Sequence, residues 1–131
     1  MPASGRFLLD TNIVIALFEG DETVVANLDL ASEVFVPAVV LGELLFGAAK
    51  SGRPVENAAK VDRFAAGSSI PACDLHVARE YGRLKRDLRA KGKPLPENDL
   101  WIAATANRLQ LIVVTRDRHF DEIDGLMTAW W

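Results

Sequence analysis

Short apolar runs alternate with longer segments of helical periodicity along most of the chain. The mostly apolar run at residues 6–9 predicts a buried strand, and "EVFVP" (33–37) predicts a second strand that Pro37 ends. The β-branched run "LIVVT" (111–115) is typical of a parallel strand buried on both faces. Two further strand candidates are "SSIPA" (68–72) and "GLMTAWW" (125–131).

Segments with helical spacing lie between these strands. Glycine and proline mark several of their ends, because glycine terminates helices and proline fits the first helical turn. Gly20, Gly52 and Gly67 each close one of these segments, and Pro54 opens one. Helices are predicted at 12–20, 38–52, 54–67, 75–90 and from Glu97 or Asn98 to 109, with a turn at 91–96.

The alternation of strands and helices predicts an α/β fold. Strands joined by helices form parallel sheets, and the connecting helices cover both faces of the sheet. We therefore predict a three-layer α/β/α architecture with a mostly parallel central sheet of four to five strands. The 131 residues fit a single domain, 1–131, without an internal repeat or a linker.

Composition places the chain among globular proteins, since half of its residues are hydrophobic and a quarter are charged. No apolar run approaches the roughly 20 residues that span a bilayer. The opening segment "MPASGRF" lacks the apolar stretch of a signal peptide, so we expect a cytoplasmic protein without membrane contact. The single Cys73 excludes an internal disulfide and is assigned no function.

The net charge of −3 and the pI near 5.3 provide no bulk attraction for nucleic acid. Basic residues are nevertheless concentrated between Arg79 and Lys93. This basic segment (79–93) is either a solvated helix face or a surface that contacts nucleic-acid phosphates. The sequence leaves both interpretations open.

Two acidic residues follow predicted strands. Asp10 comes directly after the first strand in "FLLDTN", and Thr115 and Asp117 follow "LIVV". Because ligand sites in open α/β sheets form at the carboxyl ends of the strands, we expect both carboxylates at the same edge. Taken alone, Asp10 or Asn12 could instead cap the following helix, and Asp117 could be a loop charge.

Two further acids lie on predicted helices among apolar neighbours. Glu43 lies one turn from Val40 and from Phe46, and Asp99 shares a helix face with Ile102. Neither carboxylate is predicted to face solvent. Taken alone, Asp99 could be a favourable charge in a first helical turn, and Glu43 could pair with an arginine.

Gathered in one pocket, these four acids would repel one another strongly. A hard divalent cation such as Mg²⁺ or Mn²⁺ prefers oxygen ligands and would neutralise them. The sequence lacks the clustered Cys and His ligands of a zinc site. The pattern therefore predicts a carboxylate metal site, which suits phosphodiester hydrolysis because the cation activates water and stabilises charge on the phosphate.

The motifs "LLDTN", "GELLFG", "ENDLWIAATA" and "VVTRDRHF" resemble, in this order, the successive motifs of PIN-domain nucleases. Chain length and motif spacing are similar to those of VapC-type toxins of type II toxin–antitoxin pairs. The resemblance implies an endoribonuclease that uses Mg²⁺ or Mn²⁺, a homodimer, and inhibition by a small VapB-like antitoxin. It also implies an acidic site of Asp10, Glu43, Asp99 and Asp117 with Asn12 and Thr115 as polar supports.

Under this interpretation, a metal-activated water attacks the RNA phosphodiester in line, without a covalent intermediate. Asp10 and Asp99 are the expected main ligands, while Glu43 and Asp117 complete the site or hold a second ion. His119 follows Asp117 closely and is expected to be a solvated or structural residue. Trp130 and Trp131 are expected to complete the core or to pack at an interface.

Three other functions are weighed against this one. A haloacid-dehalogenase-like phosphatase requires an aspartate two residues after its nucleophile, where this chain has Asn12. A phosphoacceptor receiver domain requires a lysine after its last strand, where this chain has Arg116 and Arg118. A module that binds RNA or a partner without cleavage would favour basic groove residues over four acids.

Overall fold

Four parallel strands form the centre of the structure, a computed structural model in which residues 5–131 are described. The strands are β1 (Arg6–Leu9), β2 (Glu33–Phe35), β3 (Ile112–Val114) and β4 (Thr128–Ala129). They lie in the order β2-β1-β3-β4, and each neighbouring pair is parallel. The two central strands, β1 and β3, are those that precede Asp10 and Thr115.

Helices cover both faces of this sheet. They are α1 (Thr11–Phe18), α2 (Glu22–Leu30), α3 (Ala38–Ala49), α4 (Pro54–Ala66), α5 (Leu75–Ala90) and α6 (Glu97–Leu109), with a 3-10 helix at Arg118–Glu122. The predicted three-layer α/β/α architecture with a parallel sheet is confirmed. Four strands form the sheet within the described residues.

The sequence pattern does not predict α2. Only Val24 of this helix is buried, so the helix lacks the apolar stripe that would reveal it. Its start is nevertheless encoded locally, because the Asp21 carboxylate accepts backbone N–H bonds from Thr23 and Val24 at 3.0 and 3.3 Å.

The strand candidate at 68–72 is wrong. Within the described chain, this segment meets the sheet only through an isolated bridge between Ser69 and Phe35. The Val36 N–H donates to the Ser69 carbonyl at 2.8 Å. Pro71 follows two residues later and has no N–H with which to continue the pairing.

The chain terminus packs into the core against β1. Phe7 is fully buried, and its ring meets the Trp131 ring edge-on with centroids 4.9 Å apart. Trp131 therefore completes the core, which is one of the two roles considered for the terminal tryptophans. The neighbouring Trp130 is exposed.

Arg116 connects the loop after β3 to three other parts of the chain. Its backbone N–H donates to Asn12 Oδ1 at 3.1 Å, and its Nη2 donates to Asp21 Oδ2 at 2.9 Å. Its Nε donates to the Trp131 carbonyl at 2.6 Å. The hydrogen bond from the Arg116 guanidinium lowers the pKa of Asp21 below its ordinary value. The loop is thus anchored to α1, to the start of α2 and to the chain terminus.

Acidic neighbours balance most charges of the basic segment (79–93). Arg83 contacts Glu80 at 2.6 Å and Asp87 at 3.2 Å, and Lys85 contacts Glu97 at 2.6 Å. The further pairs are Arg86–Asp87, Lys91–Asp124 and Lys93–Glu122. Such exposed pairs contribute little stability, but they reduce the positive field on this face. This charge balance favours the solvated-face interpretation.

The membrane expectation concerns helices, which the structure describes in residues 5–131. No helix in this part of the chain is both long and apolar enough to cross a bilayer. Residues 1–4, to which the expectation about a signal peptide also applies, lie outside the described residues.

Phe7→Ala should lower the free energy of unfolding by about 3–5 kcal/mol, because it removes a fully buried ring and its contact with Trp131. Phe46→Ala is the matched control, since Phe46 is 66% exposed and its loss should change stability by about 0.5 kcal/mol or less. Urea denaturation followed by circular dichroism measures both. Equal losses in the two variants would contradict the placement of β1 in the core.

Candidate active site

The ends of the two central strands bring Asp10 and Thr115 into direct contact. Leu9 pairs with Val114, and the Asp10 N–H donates to the Val114 carbonyl at 3.0 Å. The Thr115 hydroxyl then donates to Asp10 Oδ2 at 2.7 Å. The parallel register therefore produces the meeting of strand ends that the sequence pattern predicts.

Asp10 is both a helix cap and a buried charge. Its Oδ1 accepts the Thr11 N–H at 2.8 Å at the start of α1, and only 6% of the residue is exposed. Burial raises the pKa of Asp10 above its ordinary value. Hydrogen bonds from Thr115 and Thr11 act against this rise, and the charges of Glu43 and Asp117 add to it.

Asn12 and Thr115 hold the loops around this carboxylate. The Asn12 amide donates to Asp10 Oδ2 at 3.4 Å and accepts the Arg116 N–H at 3.1 Å. The Thr115 hydroxyl also accepts the Asp117 N–H at 3.0 Å. Asn12 and Thr115 therefore orient the Asp10 carboxylate, and Thr115 also positions the backbone of Asp117.

Asp99, Asp117 and His119 form the tightest group of potential metal ligands in the described chain. One ligand atom from each lies within 4.8 Å of those of the other two. Asp117 Oδ1 accepts the His119 N–H at 2.9 Å and lies 3.2 Å from His119 Nδ1. Asp10 and Glu43 do not belong to this group.

His119 is the residue of this group that the sequence analysis does not propose as a ligand. Its side chain is largely exposed, which agrees with the expected solvated histidine, but its ring also contacts Asp117. The sequence feature that could have indicated His119 as a ligand is its position two residues after Asp117, the acid that caps the 3-10 helix.

Burial and the neighbouring acids raise the pKa of Asp99. Burial, followed by the charges of Asp10 and Asp117, raises the pKa of Asp99 to about 6. The nearby His119 opposes this rise, and Glu43 adds to it. Asp99 lies in the first turn of α6, partly buried, and so faces the same cleft as the acids from the strand ends.

The expectation that Glu43 does not face solvent is wrong, because Glu43 is exposed. The helix α3 buries a stripe of residues 40, 41, 44 and 48, which turns Glu43 and Phe46 away from the core. The Glu43 charge still acts on Asp10 and Asp99, and its Oε1 accepts a hydrogen bond from the Asn98 amide at 3.2 Å. Glu43 thus lies at the rim of the acidic cleft.

The donor set fits a divalent cation. Within residues 5–131, no lysine or arginine forms an ion pair with any of the four acids Asp10, Glu43, Asp99 and Asp117. Thr11, which directly follows Asp10, has a hydroxyl oxygen that is buried without a hydrogen-bond partner in the described chain. Carboxylate oxygens with one imidazole are ligands that Mn²⁺ accepts, and the carboxylates alone suit Mg²⁺.

The chain is similar in sequence to known proteins. Residues 7–126 match the PIN domain family. The tRNA(fMet)-specific endonuclease VapC of Shigella flexneri is 32% identical over 130 residues, which cover 96% of this chain and 98% of that protein. Ribonuclease VapC5 of Mycobacterium tuberculosis is 34% identical over 130 residues, which cover 95% of this chain and 90% of that protein.

A solved structure shows the same fold. The DNA-bound VapBC of Salmonella typhimurium contains a chain that is similar with a TM-score of 0.90 and 31% identity. The match covers 96% of this chain and 98% of that chain. The similarity therefore extends over nearly the full length of both chains.

Asp99→Asn should raise stability at pH 7 and flatten its pH dependence. Asp99 takes up a proton near pH 6 in the folded protein but near pH 3.8 in the unfolded chain, so wild-type stability should rise as the pH falls through 6. The raised pKa of Asp10 also makes stability rise as the pH falls, so the Asp99→Asn variant keeps part of the pH dependence. Carboxylates with lowered pKa values, such as Asp74 and Glu80, remove stability only at lower pH.

Urea midpoints at pH 7 and pH 5, measured with EDTA present, test this expectation. Asp29→Asn, which changes an exposed acid on α2, should keep the wild-type slope. Wild-type stability that is equal at both pH values, or lower at pH 5, would contradict it.

Proposed function

The chain belongs to the PIN-domain family as a VapC-type ribonuclease toxin, and we propose that its acidic cleft holds Mg²⁺ or Mn²⁺ and hydrolyses RNA phosphodiester bonds. The observation that carries the proposal is the set of acids around Asp10, with which no lysine or arginine of the described residues forms an ion pair. A cleft that only gripped RNA would repel its phosphates, since it presents negative charge.

Asp10, Asp99 and Asp117 are the proposed metal ligands, with Glu43 at the rim and the His119 imidazole beside Asp117. When bound, the cation supplies a water of lowered pKa and neutralises charge that develops on the phosphate. Asn98 holds the Glu43 carboxylate at the rim. The sequence analysis expects Asp10 and Asp99 as the main ligands. Asp117 joins them in this proposal because one of its carboxylate oxygens lies within 4.8 Å of one of Asp99.

Thr115 and Asn12 are proposed as positioning residues. Both oxygens of Asp10 accept hydrogen bonds, from Thr11 at Oδ1 and from Thr115 and Asn12 at Oδ2. These bonds fix the plane of the carboxylate, and a fixed ligand plane reduces the cost of reorganisation in catalysis. A phosphatase of the haloacid-dehalogenase type is disfavoured, because Asn12 is occupied in this clamp and cannot act as an acid.

A VapB-like antitoxin is the proposed protein partner, since similar solved structures are VapBC complexes. A groove of about 310 Å³ runs from Glu43 between α1, α3 and α4, with Ile15, Phe18 and Val61 among its lining residues. Ile15 is 45% exposed there, so the groove presents apolar surface to a partner. This apolar groove suits an amphipathic segment that ends with a basic residue near Glu43.

Two further properties remain predictions from the family. A homodimer is expected, as is a cytoplasmic location. Size-exclusion chromatography with light scattering would measure the first, and fractionation of the source cells would measure the second.

Asp10→Asn should reduce RNA cleavage by on the order of 10²–10³-fold or more, because it removes a carboxylate ligand of the cation that stabilises charge on the reacting phosphate. Asparagine still caps a helix, so the fold should be kept. Asp29→Asn is the matched control and should cleave like the wild type. EDTA should abolish wild-type cleavage, and Mg²⁺ or Mn²⁺ should raise the melting temperature of the wild type more than that of Asp10→Asn.

Cleavage of an RNA pool, followed by sequencing of the new ends, provides the readout and maps the substrate. Undiminished cleavage by a clean Asp10→Asn preparation would contradict the proposed site. Cleavage that persists in EDTA would contradict the metal.

Ile15→Asp should weaken binding of the antitoxin by about 10-fold or more, because it places a charge in the apolar groove. Val55→Asp is the matched control, since Val55 is 82% exposed on α4 and does not line the groove. Co-purification with the product of an adjacent short gene, followed by titration calorimetry, measures both. Equal effects of the two changes would place the antitoxin elsewhere.

A further inference from the structure

A second cleft opens on the other side of Asp117. It has a volume of about 350 Å³, and its lining includes Thr115, Asp117, Arg118 and Trp130. Thr115 contacts Asp10, and Asp117 belongs to the group with Asp99, so this cleft adjoins the acidic site. A group bound in this second cleft would lie next to the phosphate that the proposed function hydrolyses.

Trp130 is the unusual residue of this cleft. It is 56% exposed, whereas its neighbour Trp131 is buried against Phe7. The alternation of side chains after β4 sends the two tryptophans to opposite sides, so the core accounts for Trp131 only. The Trp130 ring instead lines the second cleft and is accessible to a ligand there.

The Trp130 ring already carries a cation on one face. The guanidinium of Arg118 lies 5.0 Å from the ring centroid, and its Nη1 lies 3.7 Å from the Asp121 carboxylate. These contacts hold the Arg118 head group beside the ring. A planar ligand can stack on the ring or on the guanidinium, and a phosphate can meet the positive charge.

We propose that Trp130 and Arg118 form a stacking subsite for an unpaired nucleobase of the RNA next to the scissile phosphate. The inference rests on the proposed ribonuclease function and adds a specificity element to it. Unpaired bases are recognised by stacking on aromatic rings and arginine planes. The continuity of this cleft with Asp117 favours a base over a protein segment, because the neighbouring group is then a phosphate of the same strand.

The test compares two single-stranded probes of equal length on the inactive Asp10→Asn background. One is a short oligoadenylate, and the other is an abasic ribose-phosphate strand with the same charge. Trp130→Ala should weaken oligoadenylate binding by about 5- to 150-fold, which corresponds to one stacked base, and should leave abasic binding nearly unchanged. Trp130→Phe should restore most of the affinity, and Phe46→Ala should change neither probe.

Fluorescence anisotropy measures the affinities, and thermal melts verify that each variant is folded. An equal loss for both probes would overturn the stacking role in favour of a phosphate contact. Unchanged RNA binding together with lost antitoxin binding would assign Trp130 to a protein partner and also overturn it. If the Asp10→Asn parent binds both probes equally while Trp130 is intact, the stacking role is overturned. Cleavage of the RNA pool by the wild type tests the ribonuclease function separately, so the two failures are distinguishable.

Discussion

The hydrogen bond from Thr115 to Asp10 joins the ends of the two central strands, and the candidate site is arranged around it. A nearly buried carboxylate costs free energy unless donors surround it. The donors come from Thr11 and Asn12 at the start of α1 and from Thr115 after β3. The first helix must therefore begin where the first strand ends, and the loop after β3 must turn across it. The Thr115 hydroxyl also accepts the backbone N–H of Asp117 and thereby positions this second acid.

The pKa values of acids inside the cleft shift in the opposite direction from those of paired acids outside it. Away from the cleft, Glu80 pairs with Arg83 and Asp21 with Arg116, and the pKa values of both acids are lowered. Inside the cleft, Asp10 and Asp99 have raised pKa values, because burial and neighbouring acids disfavour their charged forms. The fold thus tolerates a destabilising cluster at one edge of the sheet, as is common where acids are kept for chemistry. A bound cation would remove most of this repulsion.

The acidic cleft is flanked by two surfaces of different character. The groove between α1, α3 and α4 is apolar and reaches the acids at Glu43. The cleft of Trp130 and Arg118 reaches them at Asp117 and combines an aromatic ring with a positive charge. An apolar protein segment and an RNA strand can therefore approach from different sides and still meet at the same carboxylates. Under the proposed function, an inhibitor could block the acids without imitating RNA.

The parallel α/β fold and most helix boundaries could be predicted from the sequence, which also singled out the four acids as candidates, because periodicity, glycine and proline positions and strand-end polar residues act locally. It did not reveal α2, whose single buried valine leaves no stripe, and it predicted a strand at 68–72 that Pro71 prevents. Which acids lie close together follows from the three-dimensional packing alone, since it depends on the parallel register of β1 with β3 and on the rotation of α3. For that reason Glu43 lies exposed at the rim. His119 lies beside Asp117, and Trp130 and Arg118 line the second cleft. Their positions depend on how the loop after β3 and the chain terminus pack, and no spacing along the chain records that packing.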